Sequence, residues 1–266
     1  PDTGRLSVVA MMFSLPGLVL VPEGTWFWTS DDNGRTWSSP QPLELPTDPH
    51  FAPRLAAGPN GFLVLVNFGG LRTRMGALDP VSETGVYASI SQDAGRTWAT
   101  KQITPNERVG YPGYGPAVLH DAGETIEVVL AYQRNVSIVR SVDGGGTWAE
   151  PQPVGQLPTD YRWWAIGAGD GKGQTVVLAE YDSACAGTDE ARRWGVDLFY
   201  EEADQMFARL PMAGPLATGV MDGCGGGNDY AGLAFAVDGS LWAAWADPRG
   251  GDGAAGIAVT RLVRAD

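Results

Sequence analysis

Lysine and histidine are almost missing from this 266-residue chain, which holds only Lys101, Lys172, His50 and His120. With 31 acidic residues against 18 basic ones the formal charge is -13, so a basic groove for nucleic acid, or a face for an anionic membrane, is excluded as the working surface. The two histidines lie in different parts of the chain and in no metal-binding spacing, so neither a metal nor a cofactor is expected. Long apolar runs are missing too. A spanning helix needs roughly 18 to 20 such residues, and the run at Leu18 to Val21 is broken by Pro16 and Pro22, so no membrane insertion is expected. Cysteine is scarce: Cys185 and Cys224 stand 39 positions apart (224 minus 185) with no Cys-x-x-Cys pattern for zinc, and one disulfide in an exported protein is expected, with two unpaired thiols as the alternative. The chain opens on Pro1 without a leader, and a processed product that is secreted is the expectation.

Glycine and proline are abundant, 37 and 19 residues, and only 18% of the chain is charged, a balance that suits many short strands joined by tight turns. One phrase organises them. Ser30-Asp31-Asp32-Asn33-Gly34-Arg35-Thr36-Trp37 recurs as Ser91 to Trp98 and as Ser141 to Trp148, at intervals of 61 (91 minus 30) and 50 (141 minus 91) residues. Self-similarity at such a period marks stacked supersecondary units, none of which can bury its apolar face alone. Within each phrase the aspartate (Asp32, Asp93, Asp143) can take turn N–H groups, and the hydroxyls (Ser30, Thr36; Ser91, Thr97; Ser141, Thr147) can tie the arms of a hairpin. The glycine (Gly34, Gly95, Gly145) supplies a backbone that a side chain would penalise, and Trp37, Trp98 and Trp148 can plug the seam beside the turn.

Strand signals fill the intervals. The first unit predicts strands at Leu18 to Val21 and Thr25 to Thr29, the second at Phe62 to Phe68 and Gly85 to Ile90, and the third at Thr125 to Tyr132 and Ser137 to Arg140. A fourth unit keeps the rhythm at Asp160 to Ile166, Gln174 to Tyr181 and Gly195 to Tyr200. It puts Glu201-Glu202-Ala203-Asp204 where the phrase should fall and carries an insertion at Asp182 to Trp194. The fifth runs from Asn228 through an Asp238-Gly239 turn to Leu241 to Asp247 and Gly256 to Arg264, one strand short, while Arg5 to Ala10 is spare at the other end. The expectation is a single all-β domain over 1–266, five four-stranded antiparallel blades closed into a ring by that N-terminal strand, with six blades as the alternative.

The three phrases resemble the Asp-box, or BNR repeat, of sialidase-like β-propellers. That resemblance implies a propeller whose boxes lie away from the ligand face, in a family that includes sialidases, other glycosidases, lectin-like proteins and sorting receptors. A sialidase resemblance also implies an Arg-Ile-Pro segment, three arginines for a substrate carboxylate, a tyrosine backed by a glutamate, and a separate acid. No Arg-Ile-Pro is present. Innermost-strand positions expected to line a central funnel include Arg54, Tyr114, Tyr161, Arg162, Trp163 and Trp164, with Arg249 available as a third arginine. Asp229, Tyr230 and Glu180 are the candidates for acid and nucleophile roles, although their spacing departs from the family order. Each has a plainer use: the arginines as partners for surplus acids, one tryptophan as core, Asp229 as a turn-binding acid. The sequence therefore points first to a non-catalytic propeller binding a carbohydrate or protein ligand at the funnel. An exo-glycosidase is the alternative, and a structural subunit of an extracellular assembly the third reading. Cys185 and Cys224 are expected to bridge the insertion to the lead-in of the fifth unit.

Overall fold

The computed structural model describes residues 5–14, 21–44, 50–74, 77–104, 113–132, 135–157, 162–182, 193–202, 206–217, 231–247 and 256–263. These fold as five antiparallel sheets, with two short 3-10 turns at Pro59–Gly61 and Asp121–Gly123. The chain divides into two compact units, 1–110 with 122–125 and 141–148, and 111–121 with 126–140 and 149–266.

In the first unit, β1 (Leu6–Ser14), β2 (Val21–Ser30) and β3 (Gln41–Pro42) form one sheet in chain order. β4 (His50–Ala57), β5 (Leu63–Arg74), β6 (Ala77–Ser91) and β7 (Ala99–Gln102) form a second. Leu63, Val64, Leu65, Val66 and Phe68 of β5 are all buried, the continuous apolar run of a strand covered on both faces. The β5–β6 hairpin reaches well beyond the expected Phe62 to Phe68 and Gly85 to Ile90, because pairing resumes after a slip at Gly69 and carries Leu71 to Arg74 against Ala77 to Pro80. One face of β1 leaves Leu6, Val8 and Met12 exposed.

The N-terminal strand corrects one expectation. β1 does not complete the last sheet; it pairs with β2, from Leu6 opposite Ser30 to Ser14 opposite Val21. Of the segments read as separate strands, Val21 and Thr25 to Thr29 fall in the single strand β2, while Leu18 to Leu20 lie outside the described residues; the ten residues of β2 give β1 a full-length partner close in sequence. Pairing with a near neighbour costs less chain entropy than a closure spanning the whole chain.

The second unit holds the other three sheets. β8 (Gly113–Tyr114), β9 (Val118–His120), β10 (Thr125–Tyr132), β11 (Asn135–Ser141) and β12 (Gln152–Gln156) make a sheet in which β8 and β9 both pair with β10. β13 (Arg162–Gly169), β14 (Thr175–Asp182), β15 (Arg193–Glu201) and β16 (Phe207–Ala217) follow in chain order. The last sheet is β17 (Ala231–Phe235), β18 (Leu241–Asp247) and β19 (Gly256–Leu262). β14 is the hinge of this core. Its Val177, Ala179 and Tyr181 pack with Val129, Ala131, Ile138 and Phe199, while Val176 and Leu178 pack with Val196, Leu198, Leu241, Ala243 and Trp245. Strand alternation explains the division, since successive side chains point to opposite faces. On the outward side of β18 and β19, Trp242, Ile257 and Val259 are exposed.

Candidate functional site

The repeated hairpins have one geometry. In each, the serine hydroxyl donates to the aspartate Oδ1 at 2.8 to 2.9 Å and accepts the glycine N–H at 2.8 to 2.9 Å. The threonine closes the loop, its N–H on Oδ1 at 2.8 to 2.9 Å and its hydroxyl on Oδ2 at 2.6 to 2.7 Å. These bonds hold Asp32, Asp93 and Asp143 ionised down to about pH 2, the Thr36, Thr97 and Thr147 bonds contributing most. Every carboxylate oxygen is thereby spent inside its own hairpin. Trp37 and Trp98 also donate their indole N–H to Gly34 O and Gly95 O, at 3.2 and 3.1 Å. Phe27 meets Trp98 edge to face, centroids 5.6 Å apart.

A second polar cluster joins the sheets that hold β10 and β14. Arg140 binds the buried Glu127 Oε1 through both Nε and Nη2 at 2.5 Å, and the Thr175 hydroxyl donates to Glu127 Oε2. His120 Nε2 lies 2.9 Å from that hydroxyl, and the Gly173 N–H donates to His120 Nδ1 at 3.1 Å. Since Nδ1 accepts, the ring proton sits on Nε2 and the chain of donors runs from Gly173 to Glu127. Burial alone would push the Glu127 carboxyl up, but His120, Thr175 and Arg140 outweigh it and hold it below the ordinary range. Sequence reasoning missed this cluster. Its one visible signal is an acid inside the apolar strand Ile126 to Tyr132.

Glu180 is different in kind. It is 1% exposed, and neither carboxylate oxygen has a hydrogen-bond partner among the described residues. Burial raises its carboxyl to about 8, so at neutral pH it is an uncharged acid able to donate a proton or a hydrogen bond. Asp197, on the next strand, is also buried and pushed up by burial, but Arg209 Nε binds its Oδ2 at 2.8 Å and offsets part of the rise. Glu180 has no such cation among the described residues.

Its surroundings follow from the register. Val176 pairs with Tyr200 at the end of β14 near the β15–β16 hairpin, and Asp182 with Trp194 at the other end. Glu180, opposite Val196, therefore belongs to the end remote from the hairpin that replaces the repeated phrase. The β13–β14 ladder slips between Arg162, opposite Tyr181, and Ala165, opposite Ala179. The backbone of Trp163 and Trp164 makes the resulting bulge, level with Glu180 on β14. A matching slip falls between Phe51 and Arg54 on β4. β15 begins at Arg193, which brings a further arginine's backbone to the Glu180 end.

The sequence candidates thus divide. Glu180, Arg162, Trp163 and Trp164 are brought together along β13 and β14. Arg54 is partly buried on β4 and already engaged, and Tyr114 ends β8 opposite Leu130. Tyr161, Asp229, Tyr230, Arg249, Cys185 and Cys224 lie outside the described residues.

No protein-family model matches the chain, and no curated protein does. Solved structures do. A protein of unknown function from Dyadobacter fermentans aligns over 97% of this chain and 72% of its own at 15% identity and TM-score 0.60. A glycosyl hydrolase from Bacteroides ovatus aligns over 99% and 83% at 12% identity and TM-score 0.53. NanB sialidase from Streptococcus pneumoniae aligns over 91% and 38% at 14% identity and TM-score 0.51. The chain thus spans well under half of that sialidase's length. At these identities the likeness is one of fold: an all-β, sialidase-like architecture.

Proposed function

We propose that this chain is an exported, single-domain Asp-box propeller that recognises a carbohydrate, with its site at the Glu180 end of β13 and β14, and that it binds without hydrolysing. The observation that carries the reading is Glu180 itself, buried, uncharged and with both oxygens unspent, at the end of its sheet away from the β15–β16 hairpin. A group sealed to 1% exposure suits the floor of a recognition site better than a proton shuttle to a glycosidic oxygen. The adjoining backbone bulge carries Trp163 and Trp164, residue types on which sugars stack, with Arg162 at its edge. Solved sialidases and glycosyl hydrolases of similar fold lend carbohydrate as the ligand class. A disulfide between Cys185 and Cys224 belongs to the same reading, and thiol counting on the unreduced protein would report none free.

A hydrolase is the second reading, and one observation favours it: a carboxyl that stays protonated to about pH 8 is what a general acid requires. In it, Glu180 works with Asp229 and Tyr230, while Arg54, Arg162 and Arg249 hold an anionic sugar. Glycan-array binding lost in Trp163→Ala or Trp164→Ala, with no release of aryl glycosides or a fluorogenic sialoside, supports the binding module. Turnover abolished by Glu180→Gln or Tyr230→Phe would replace it with the enzyme. Silence in both assays would leave a subunit of an extracellular assembly.

A further inference from the structure

Trp245 carries the second unspent polar atom of the same seam. Its side chain is 5% exposed, its indole Nε1 has no acceptor among the described residues, and it packs in the cluster that contains Leu178 and Val196. Leu178 shares the Glu180 face of β14 by alternation, and Val196 stands directly opposite Glu180 on β15. Glu180 lies five residues beyond Thr175 (180 minus 175), the first paired residue after the β13–β14 turn, and Trp245 four beyond Leu241 (245 minus 241), the first after the β17–β18 turn, so the two counts differ by one residue. Two buried polar side chains without partners, on facing sheets of one seam, are costly unless something accepts from them.

We propose that the carboxyl O–H of Glu180 and the indole N–H of Trp245 form a two-donor cradle that holds one acceptor oxygen of the glycan. The inference rests on the carbohydrate reading and deepens it, since it fixes what the ligand must present: a hydroxyl or carbonyl oxygen able to accept two hydrogen bonds in a dry seam. It also makes recognition proton-linked, because an ionised Glu180 has lost its donor and repels the acceptor. The charged residues on the elements packed here are few. Arg162 begins β13, Asp182 ends β14, Arg193 begins β15, Asp247 ends β18 and has an interaction of its own, Arg209 of β16 is committed to Asp197 and Arg261 of β19 to Asp238, and β17 has none. The pair Asp197–Arg209 belongs to the other face of the sheet, since Asp197 lies next to Val196 in β15.

The test uses the full chain and two readouts. In ¹H–¹⁵N spectra the Trp245 indole resonance, assigned by its loss in Trp245→Phe, is followed from about pH 6 to about pH 9.5. It should titrate in the wild type and stay flat in Glu180→Gln, which keeps a donor but cannot ionise. Identical profiles in the two proteins overturn the cradle. In parallel, calorimetry with a panel of methyl pyranosides should find a sugar whose affinity falls about tenfold or more over that range in wild type, but not in Glu180→Gln. Trp245→Phe should weaken it about tenfold at both ends. Equal pH profiles for wild type and Glu180→Gln, or undiminished binding by Trp245→Phe, sink the proposal. No sugar bound at all, with the indole still titrating, removes the carbohydrate reading and keeps the donor pair; a flat indole removes the pair whatever binds.

Discussion

Arg140 grips Glu127 with two nitrogens on a single oxygen, leaving the second carboxylate oxygen to Thr175. Removing one member of a buried ion pair strands the other, which is why such losses are larger than the pair's own worth. Arg140→Ala should therefore lower the free energy of urea unfolding by about 3 kcal/mol. Glu127→Gln, which keeps an acceptor for Thr175, should cost less. Equal losses in the two variants would mean that the charge on Glu127 is unimportant to the seam.

Substituting Glu180→Gln should stabilise the protein at alkaline pH. The folded carboxyl, raised from 4.5 to about 8, keeps a proton that the unfolded chain has released, so wild-type stability declines as pH climbs from 4.5 to 8 and levels off above. The shift of about 3.5 units (8 minus 4.5) sets a ceiling of about 5 kcal/mol on the gain at pH 8 and beyond. Thermal unfolding of both proteins across that range measures it. A constant difference between them would contradict the buried, unpartnered carboxyl.

The repeated hairpins behave in the opposite sense. Because Asp93 is held at about 2, below its ordinary 3.8, its contribution is complete above 3.8 and disappears as pH falls through 2. Asp93→Asn should melt a few degrees below wild type at neutral pH, with the gap closing only in strong acid. A gap that closes near pH 5 would show that these carboxylates are not held by their hydroxyl partners.

Two glycines with the same backbone hand should answer differently to alanine. Gly95 has φ +88° and a Cβ there would run into the Phe27 ring, whereas Gly239 has φ +80° with open space around it. Gly239→Ala pays only for the left-handed backbone, about 1 kcal/mol, and Gly95→Ala should lose two to three times as much. Chemical denaturation of the pair settles the order.

How much of this could be read from the chain alone differs by element. The hairpins were legible because a serine, an aspartate and a threonine at fixed spacing find one another locally, whatever the rest of the fold does. Glu180 was legible as an acid beside Tyr181 in a strand, but its protonation depends on burial by parts of the chain distant in sequence, such as Val196 opposite it on β15. The His120, Glu127, Arg140 and Thr175 cluster stayed hidden for the same reason, being assembled from four strands. β1 was found as a strand and assigned the wrong neighbour, since its pattern of apolar residues fits either sheet and the choice lies in chain connection.

Trp148 departs from its two counterparts in one bond. Where Trp37 and Trp98 clasp the carbonyl of their own turn, the Trp148 indole nitrogen is shut away from water with no acceptor among the described residues. The third corner is also the most glycine-rich, with Gly144, Gly145 and Gly146 in succession. Fraying should therefore begin there, and under native conditions the amides of that turn should trade their hydrogens for deuterium ahead of those at Gly34 and Gly95.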